Sequence, residues 1–356
     1  MSSALATNEL SDMSSDNMFE HWSIETDEDG VAWLGLDKAN TATNVLSHDV
    51  MHELSLCIDA LDAQQPVAAI IYSKKTNGFI AGADIKEFME LKTTEQAHKL
   101  IRNGQLILER LENLPFPTVA MINGFALGGG MELALACTRR IVVEDDSVRL
   151  GLPEVRLGIH PGFGGTVRTT QLMSPLAALD MMLTGRGLRP QQARRLGLVD
   201  QAVPARHLKR AAKQLALKKK SRRQRPWQHR LLNSSPMRRL LAMIVRSKTA
   251  AKARKEHYPA PFAVIDLWRD YGGDPATMYL KEAASIAQLM MTPTSRQLVR
   301  VFLLQNRLKG LGRSTDFKPK HVHVIGAGVM GGDIASWCAL RGLTVTLQDR
   351  EPKYLA

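Results

Sequence analysis

Pro117-Thr-Val-Ala-Met-Ile-Asn-Gly-Phe-Ala-Leu-Gly-Gly-Gly-Met-Glu132 is the stretch from which the rest of the chain can be read. Thr118 to Ile122 is an apolar run of strand length, and Asn123-Gly124 marks a turn. Gly128, Gly129 and Gly130 then lead into Met131-Glu-Leu-Ala-Leu-Ala136, a run of good helix formers. A glycine-rich loop that opens a helix gathers free backbone N–H groups and the positive helix end at one point. Such a point can receive an anion, or an oxygen that becomes negative during a reaction. Glu132 falls in the first helical turn beside it. A plainer reading also fits: glycines that serve close packing, and a glutamate that complements the helix dipole. This stretch alone leaves both open.

Outward from it, strands alternate with helices. Trp22 to Leu36 alternates in strand fashion around a turn at Asp27 to Gly30, which predicts a hairpin. Ser47 is an N-cap for a helix to about Ala63, and Val67 to Tyr72 is an apolar strand. Asp84 caps a short helix, and a long one runs from about Thr94 to Leu114, closed by Pro115 and Pro117. Short strands follow at Arg140 to Val143 and Ser147 to Leu150, and helix returns at Thr166. Ser174 to Leu208 reads as helix with turns at Gly185 to Gly187 and at Gly197. Phe262 to Arg269, Thr277 to Met291 and Ser295 to Gly310 give three more helices. Because the strand runs are apolar throughout, the pattern is α/β with covered sheets.

The 356 residues suggest two or three domains, and 44% hydrophobic residues suffice for a sizeable core. Cys57, Cys137 and Cys338 lie far apart, without metal-ligand spacing or a disulfide framework, and read as small buried hydrophobes in a reducing compartment. No apolar run reaches membrane-spanning length, and no secretory pattern opens the chain, which points to a cytoplasmic protein. Residues 1–18 are Ser-, Asn- and Asp-rich and read as a disordered tail. The net charge of +12 is concentrated: 206–255 holds eighteen Lys and Arg and no acid, which leaves the remainder at −6. Such a segment suits an anionic membrane surface. With Trp227 its single Trp and no nucleic-acid fold signature, it is not read as a nucleic-acid binder.

Two further stretches join the first: Phe79-Ile-Ala-Gly-Ala-Asp-Ile-Lys86 and Gly151-Leu-Pro-Glu-Val-Arg-Leu-Gly-Ile-His-Pro-Gly-Phe-Gly-Gly-Thr166. In this order and spacing the three resemble the crotonase (enoyl-CoA hydratase) superfamily. Within it they are most similar to the hydratase half of the bifunctional α-subunits of bacterial fatty-acid β-oxidation complexes. The resemblance implies a spiral of repeated strand–strand–helix turns over 19–205, and covering and linker helices over 206–320. It implies hydration of a trans-2-enoyl-CoA without a cofactor for that step. Δ3–Δ2 isomerisation and non-catalytic acyl-CoA or anionic-surface binding stand as alternatives. Matched by position, the catalytic acids are Glu132 and Glu154, and the oxyanion donors are the N–H groups of Ala83 and Gly129. Gly162 is expected to offer an N–H near the water. Lys38 and Lys86 are candidates for the CoA phosphates. Gln305 stands where relatives carry a substrate-contacting Asp. The resemblance also implies a thiolase subunit as partner in full-length relatives and leaves the oligomeric state open.

His321 to Ile325, Gly326-Ala-Gly-Val-Met-Gly331, a helix to Leu340 and a strand from Leu343 to Leu347 form the dinucleotide fingerprint in its structural setting. Gly326, Gly328, Met330 and Gly331 would cradle a pyrophosphate. Asp349 stands where the ribose hydroxyl needs an acceptor, which favours NAD over NADP. Residues 321–356 are therefore read as the first βαβ unit of a Rossmann domain cut short, from which hydride transfer is not expected.

Overall fold

A computed structural model describes residues 19–220, 227–311 and 317–355. The tail expected over 1–18 and the charge run from 221 to 225 lie outside the described residues. The chain divides into two units, 1–302 and 303–356.

The first unit opens with the expected hairpin of β1 (Trp22–Thr26) and β2 (Val31–Leu36), paired antiparallel. Its turn closes because Asp27 Oδ1 accepts from the N–H groups of Asp29 and Val31 while Gly30 takes a φ of +73°. α1 (His48–Gln64) starts on the Ser47 hydroxyl. β3 (Ala68–Ser73) and β4 (Gly78–Ile80) lead to α2 (Ile85–Glu90), capped by Asp84. α3 (Thr94–Asn113) begins with a reciprocal Thr93–Gln96 capping box. Then come β5 (Thr118–Ile122), β6 (Phe125–Leu127), α4 (Gly129–Ala136), β7 (Arg139–Val143) and β8 (Leu150–Gly151). After a single 3-10 turn at Glu154–Leu157 the chain continues through α5 (Gly165–Leu172), α6 (Pro175–Thr184), α7 (Pro190–Leu196) and β9 (Gln201–Val203). Helices follow: α8 (Leu208–Ala216), α9 (Trp227–Leu232), α10 (Ser235–Ala250), α11 (Ala260–Tyr271), α12 (Pro275–Met290) and α13 (Pro293–Leu311). The division between the units falls within α13.

Three successive strand pairs, β3 and β4, β5 and β6, and β7 and β8, each give one strand to each of two sheets before the chain turns into helix. The larger sheet has the order β1-β2-β3-β5-β7-β9, and the smaller β4-β6-β8. Apart from β1 all pairings are parallel. Every residue of β2 and of β5 is buried, as parallel strands covered on both faces require. α4 is buried on all sides, which its apolar composition permits. β4, β6 and β9 have three residues each, too few for a periodic signal, and they are strands because neighbouring strands supply the pairing. The 174–208 segment read as helical thus contains an edge strand of the main sheet. α12 packs across α3 and α5, and α11 across α6 and α10.

The second unit contains β10 (His321–Ile325), α14 (Val329–Leu340) and β11 (Thr344–Gln348), with the strands parallel from His321–Thr344 to Ile325–Gln348. No described helix is long and apolar enough to cross a membrane.

Gly130 sets how closely α4 approaches β4, since a Cβ there would lie 2.5 Å from both the Cβ and the carbonyl oxygen of Ile80. Overpacking of this kind typically costs about 1–3 kcal/mol. Gly130→Ala is expected to lower the thermal unfolding midpoint by a few degrees, measured by circular dichroism; an unchanged midpoint would show that the helix can shift freely.

Candidate active site

The chain leaves β6 through Gly128, whose φ of +51° and ψ of −129° suit glycine, and enters α4 at Gly129. As the first helical residue, Gly129 has an N–H without an intrahelical partner. Ala83 lies opposite, bridged in parallel to Leu46. Leu46 N–H donates to Gly82 O at 2.8 Å and Asp84 N–H donates to Leu46 O at 2.9 Å, so the N–H of Ala83 faces away from that bridge. Among the described residues neither N–H donates to a protein acceptor. The two are neighbours: a Cβ built on Gly129 would lie 3.2 Å from Ala83 N. Converging, unspent donors of this kind can receive an oxygen that becomes negative during a reaction.

Glu132, one turn into α4, is only 2% exposed. Its Oε1 accepts from the N–H groups of Phe163 at 2.8 Å and Gly165 at 2.7 Å. These donors lie one and three residues beyond Gly162, whose carbonyl accepts from the Gln105 amide at 3.0 Å. Glu154 opens the 3-10 turn after Pro153. The residue keeps some exposure, but both carboxylate oxygens are shielded from solvent and neither has a hydrogen-bond partner of good geometry. Burial pushes its carboxyl up to about 8, with the charge of Glu282 adding to the effect and only its own backbone N–H, too poorly aligned for a bond, opposing it. Glu132 is likewise raised well above the usual carboxylate range, by burial first and then by the charges of Glu154 and Glu282. Its two N–H donors oppose that shift. Of the pair, Glu132 has backbone donors and Glu154 has none, while burial raises both.

Glu282 is the site residue that the motifs did not point to. It is fully buried on α12, level with Met278 and Ile286 on the helix's apolar stripe. A charged residue at a stripe position is the signal that could have found it. His160 is also fully buried: its Nδ1–H donates to Pro161 O at 2.7 Å and its Nε2 pairs with the Ser285 hydroxyl at 2.9 Å. Burial lowers its pKa to about 4, so it stays neutral and acts as a strut. Lys38 Nζ lies 3.4 Å from Asp84 Oδ2, beside Ala83, while Lys86 is exposed on α2. A largely apolar cavity of about 780 Å³ between α1, α2 and α3 reaches this corner, with Met51, Phe88, Leu91 and Leu106 in its wall and Ala83 and Phe163 at the site. Gln305 is exposed and belongs to the second unit.

Residues 26–258 match the family described as enoyl-CoA hydratase/isomerase. The chain belongs to this family. The chain is 39% identical over 316 residues to the fatty acid oxidation complex subunit alpha of Aliivibrio fischeri, covering 87% of itself and 46% of that protein. It thus spans about half the length of that curated relative. Among solved structures, an enoyl-CoA hydratase from Bacillus anthracis matches with a TM-score of 0.52 and 28% identity, over 82% of this chain and 95% of that one. The human mitochondrial delta3-delta2-enoyl-CoA isomerase shares the fold at a TM-score of 0.60 and 20% identity, over 82% and 100%. Residues 321–356 match the NAD-binding domain of 3-hydroxyacyl-CoA dehydrogenases.

In that second unit the glycine turn has the form a dinucleotide needs. A Cβ on Gly331 would meet Gly326 O at 1.6 Å, so turn and helix touch only because it is glycine. Around Gly326 and Gly328 a Cβ would meet nothing within 4 Å, so the backbone there is open to an approaching pyrophosphate. Met330 is exposed. Asp349 accepts from Ala327 N–H at 2.5 Å and from Glu351 N–H at 2.8 Å, and these backbone donors hold its carboxyl below the usual range.

The raised carboxyl of Glu154 has a consequence for stability. Between the ordinary 4.5 and about 8 the folded chain keeps a proton that the unfolded chain has released, so this group's contribution falls as pH rises through that window. Glu154→Gln removes the dependence. Its unfolding midpoint relative to wild type is expected to climb from pH 4.5 to pH 8, measured by thermal melts across that range; a pH-independent difference would contradict the shift.

Proposed function

We propose that the chain adds water to trans-2-enoyl-CoA thioesters, forming 3-hydroxyacyl-CoA in fatty-acid β-oxidation. The observation that carries this is the pair of unspent N–H groups, Ala83 and Gly129, beside two dry carboxylates. As oxygen bonds to C3, the electron pair of the double bond moves through C2 onto the thioester oxygen. The two N–H groups meet that charge as it forms, an interaction typically worth about 3–4 kcal/mol per donor. Glu132, the better-supported carboxylate, takes a proton from the water whose oxygen joins C3. Glu154 gives its proton to C2 as the enolate collapses. One water is consumed, the proton lent by Glu154 is replaced by the one on Glu132, and no redox change occurs. Isomerisation of a 3-enoyl thioester needs a proton moved between C2 and C4 but no water, so the second carboxylate favours hydration.

The apolar cavity suits the acyl chain, and the same reading assigns Lys38 and Lys86 to the CoA phosphates. The second unit is proposed to bind the pyrophosphate of NAD. Association with a thiolase subunit belongs to the same reading, supported by a relative named as a subunit of an oxidation complex. On α10 the outward residues Leu240, Met243 and Ile244 stand 49%, 63% and 43% exposed, with Arg239 and Lys248 exposed on the same helix. That mixture favours contact with an anionic membrane surface. Cosedimentation with anionic vesicles at low salt and release at high salt is expected; absence of binding at low salt removes this part.

Crotonyl-CoA hydration tests the main reading. Glu132→Gln and Glu154→Gln are each expected to lower kcat by about 10²- to 10⁴-fold. Gly129→Ala places a methyl 3.2 Å from Ala83 N, inside the hole, and is expected to cost about 10²- to 10³-fold. Hydration at the wild-type rate in all three variants would end the proposal.

A further inference from the structure

We infer that Glu282 is a positioning residue for this reaction: it clamps the 162–166 loop so that Phe163 and Gly165 present their N–H groups to Glu132. The inference rests on the hydratase reading above and extends it to the covering helix α12.

The loop alternates between two carboxylates. Phe163 and Gly165 donate to Glu132 Oε1 at 2.8 and 2.7 Å. Gly164 donates to Glu282 Oε1 at 2.7 Å and Thr166 to Glu282 Oε2 at 3.0 Å. Successive N–H groups thus point to opposite sides, one toward α4 and the other toward α12. This zigzag requires the left-handed φ of +95° at Gly164. The Thr166 hydroxyl bonds Glu282 Oε2, and the Gln105 amide donates to Oε1 at 3.0 Å. Gln105 also donates to Gly162 O and Tyr279 O, at 3.0 and 3.1 Å, tying the start of the loop to the same point. At Phe163 the carbonyl accepts from Arg168 at 2.7 Å, and Arg168 Nε bonds Glu112 at 2.8 Å.

A buried carboxylate surrounded by four donors is satisfied, which would be enough for a structural role. The placement says more. The catalytic carboxylate has two hydrogen-bond donors, and both sit on peptide units whose neighbours are fixed by Glu282. Loss of the clamp frees the donors of Glu132 and leaves the oxyanion donors Ala83 and Gly129 in place; of the loop residues, Phe163 also lines the acyl cavity. Small displacements of a reacting group carry large rate costs, up to about 10²-fold for an ångström.

The test uses the full chain. In Glu282→Gln, one acceptor oxygen becomes a donor facing donors. kcat for crotonyl-CoA is expected to fall by about 10-fold or more, while KM stays within about two-fold. Combined with Glu132→Gln, the change should have almost no further effect on kcat, because it acts through Glu132. Thermal melts report the folded fraction, to which rates are normalised. Should Glu282→Gln fail to fold, Thr166→Val, which removes only the hydroxyl contact, carries the test with an expected loss of a few-fold in kcat at constant KM. The inference is overturned if folded Glu282→Gln keeps wild-type kcat, if it lowers kcat equally in the Glu132→Gln background, or if Thr166→Val leaves kcat unchanged. Wild-type chain without hydratase activity would instead remove the functional reading beneath it.

Discussion

Two backbone N–H groups, kept unspent at the edge of a buried core, are the constraint on which the rest of this structure turns. Burial normally forces every such group into a hydrogen bond, because an unmet donor away from water costs free energy. Here both donors are exempted by local geometry. Gly129 is the first residue of a helix, and Ala83 lies in a bridge whose bonds are made by its neighbours. The glycine corner at 128–130 brings them together, and the close approach of α4 to β4 at Gly130 holds them there. The sheets, the capped helices and the covering layer keep these two donors aligned and available.

Around that point the protein gathers three buried carboxylates, an arrangement that is unfavourable by itself. Each raises the cost of charging the others, and burial raises it further. Their hydrogen bonding differs. Glu282 has four donors, Glu132 has two, and Glu154 has none. The three side chains are identical, and the donors that meet each of them set them apart.

The site also joins separate parts of the fold. Glu132 rides on α4, Glu154 on the turn after β8, and Glu282 on α12. The 162–166 loop is the shared element, and its alternating N–H groups couple the spiral to the covering helices. A helix outside the strand–strand–helix repeat therefore takes part in the arrangement of the site, and the apolar cavity between α1, α2 and α3 opens onto the same corner.

Much of this was legible in the residues. The hairpin, the capped starts of α1 and α2, the proline-closed α3, the strand at 118–122, the glycine-led α4 and the βαβ unit at 321–348 each carry local chemistry that acts over a few positions. Motif matching named Glu132, Glu154, Ala83 and Gly129, which the fold brings to one corner. It did not name Phe163 and Gly165 as the amides that meet Glu132, because which way each peptide points depends on the φ at Gly164 and on what lies on either side. The strands β4, β6 and β9 were invisible, since three residues have no period and their pairing is supplied from elsewhere. Glu282 was hidden for a related reason: its value lies in facing a loop more than a hundred residues earlier in the chain. By itself the sequence determined the local elements and named residues that the fold brings to one corner, because caps, glycines and apolar runs act over short range. Only the tertiary structure decided which amides meet which carboxylate, because that depends on how distant segments are packed.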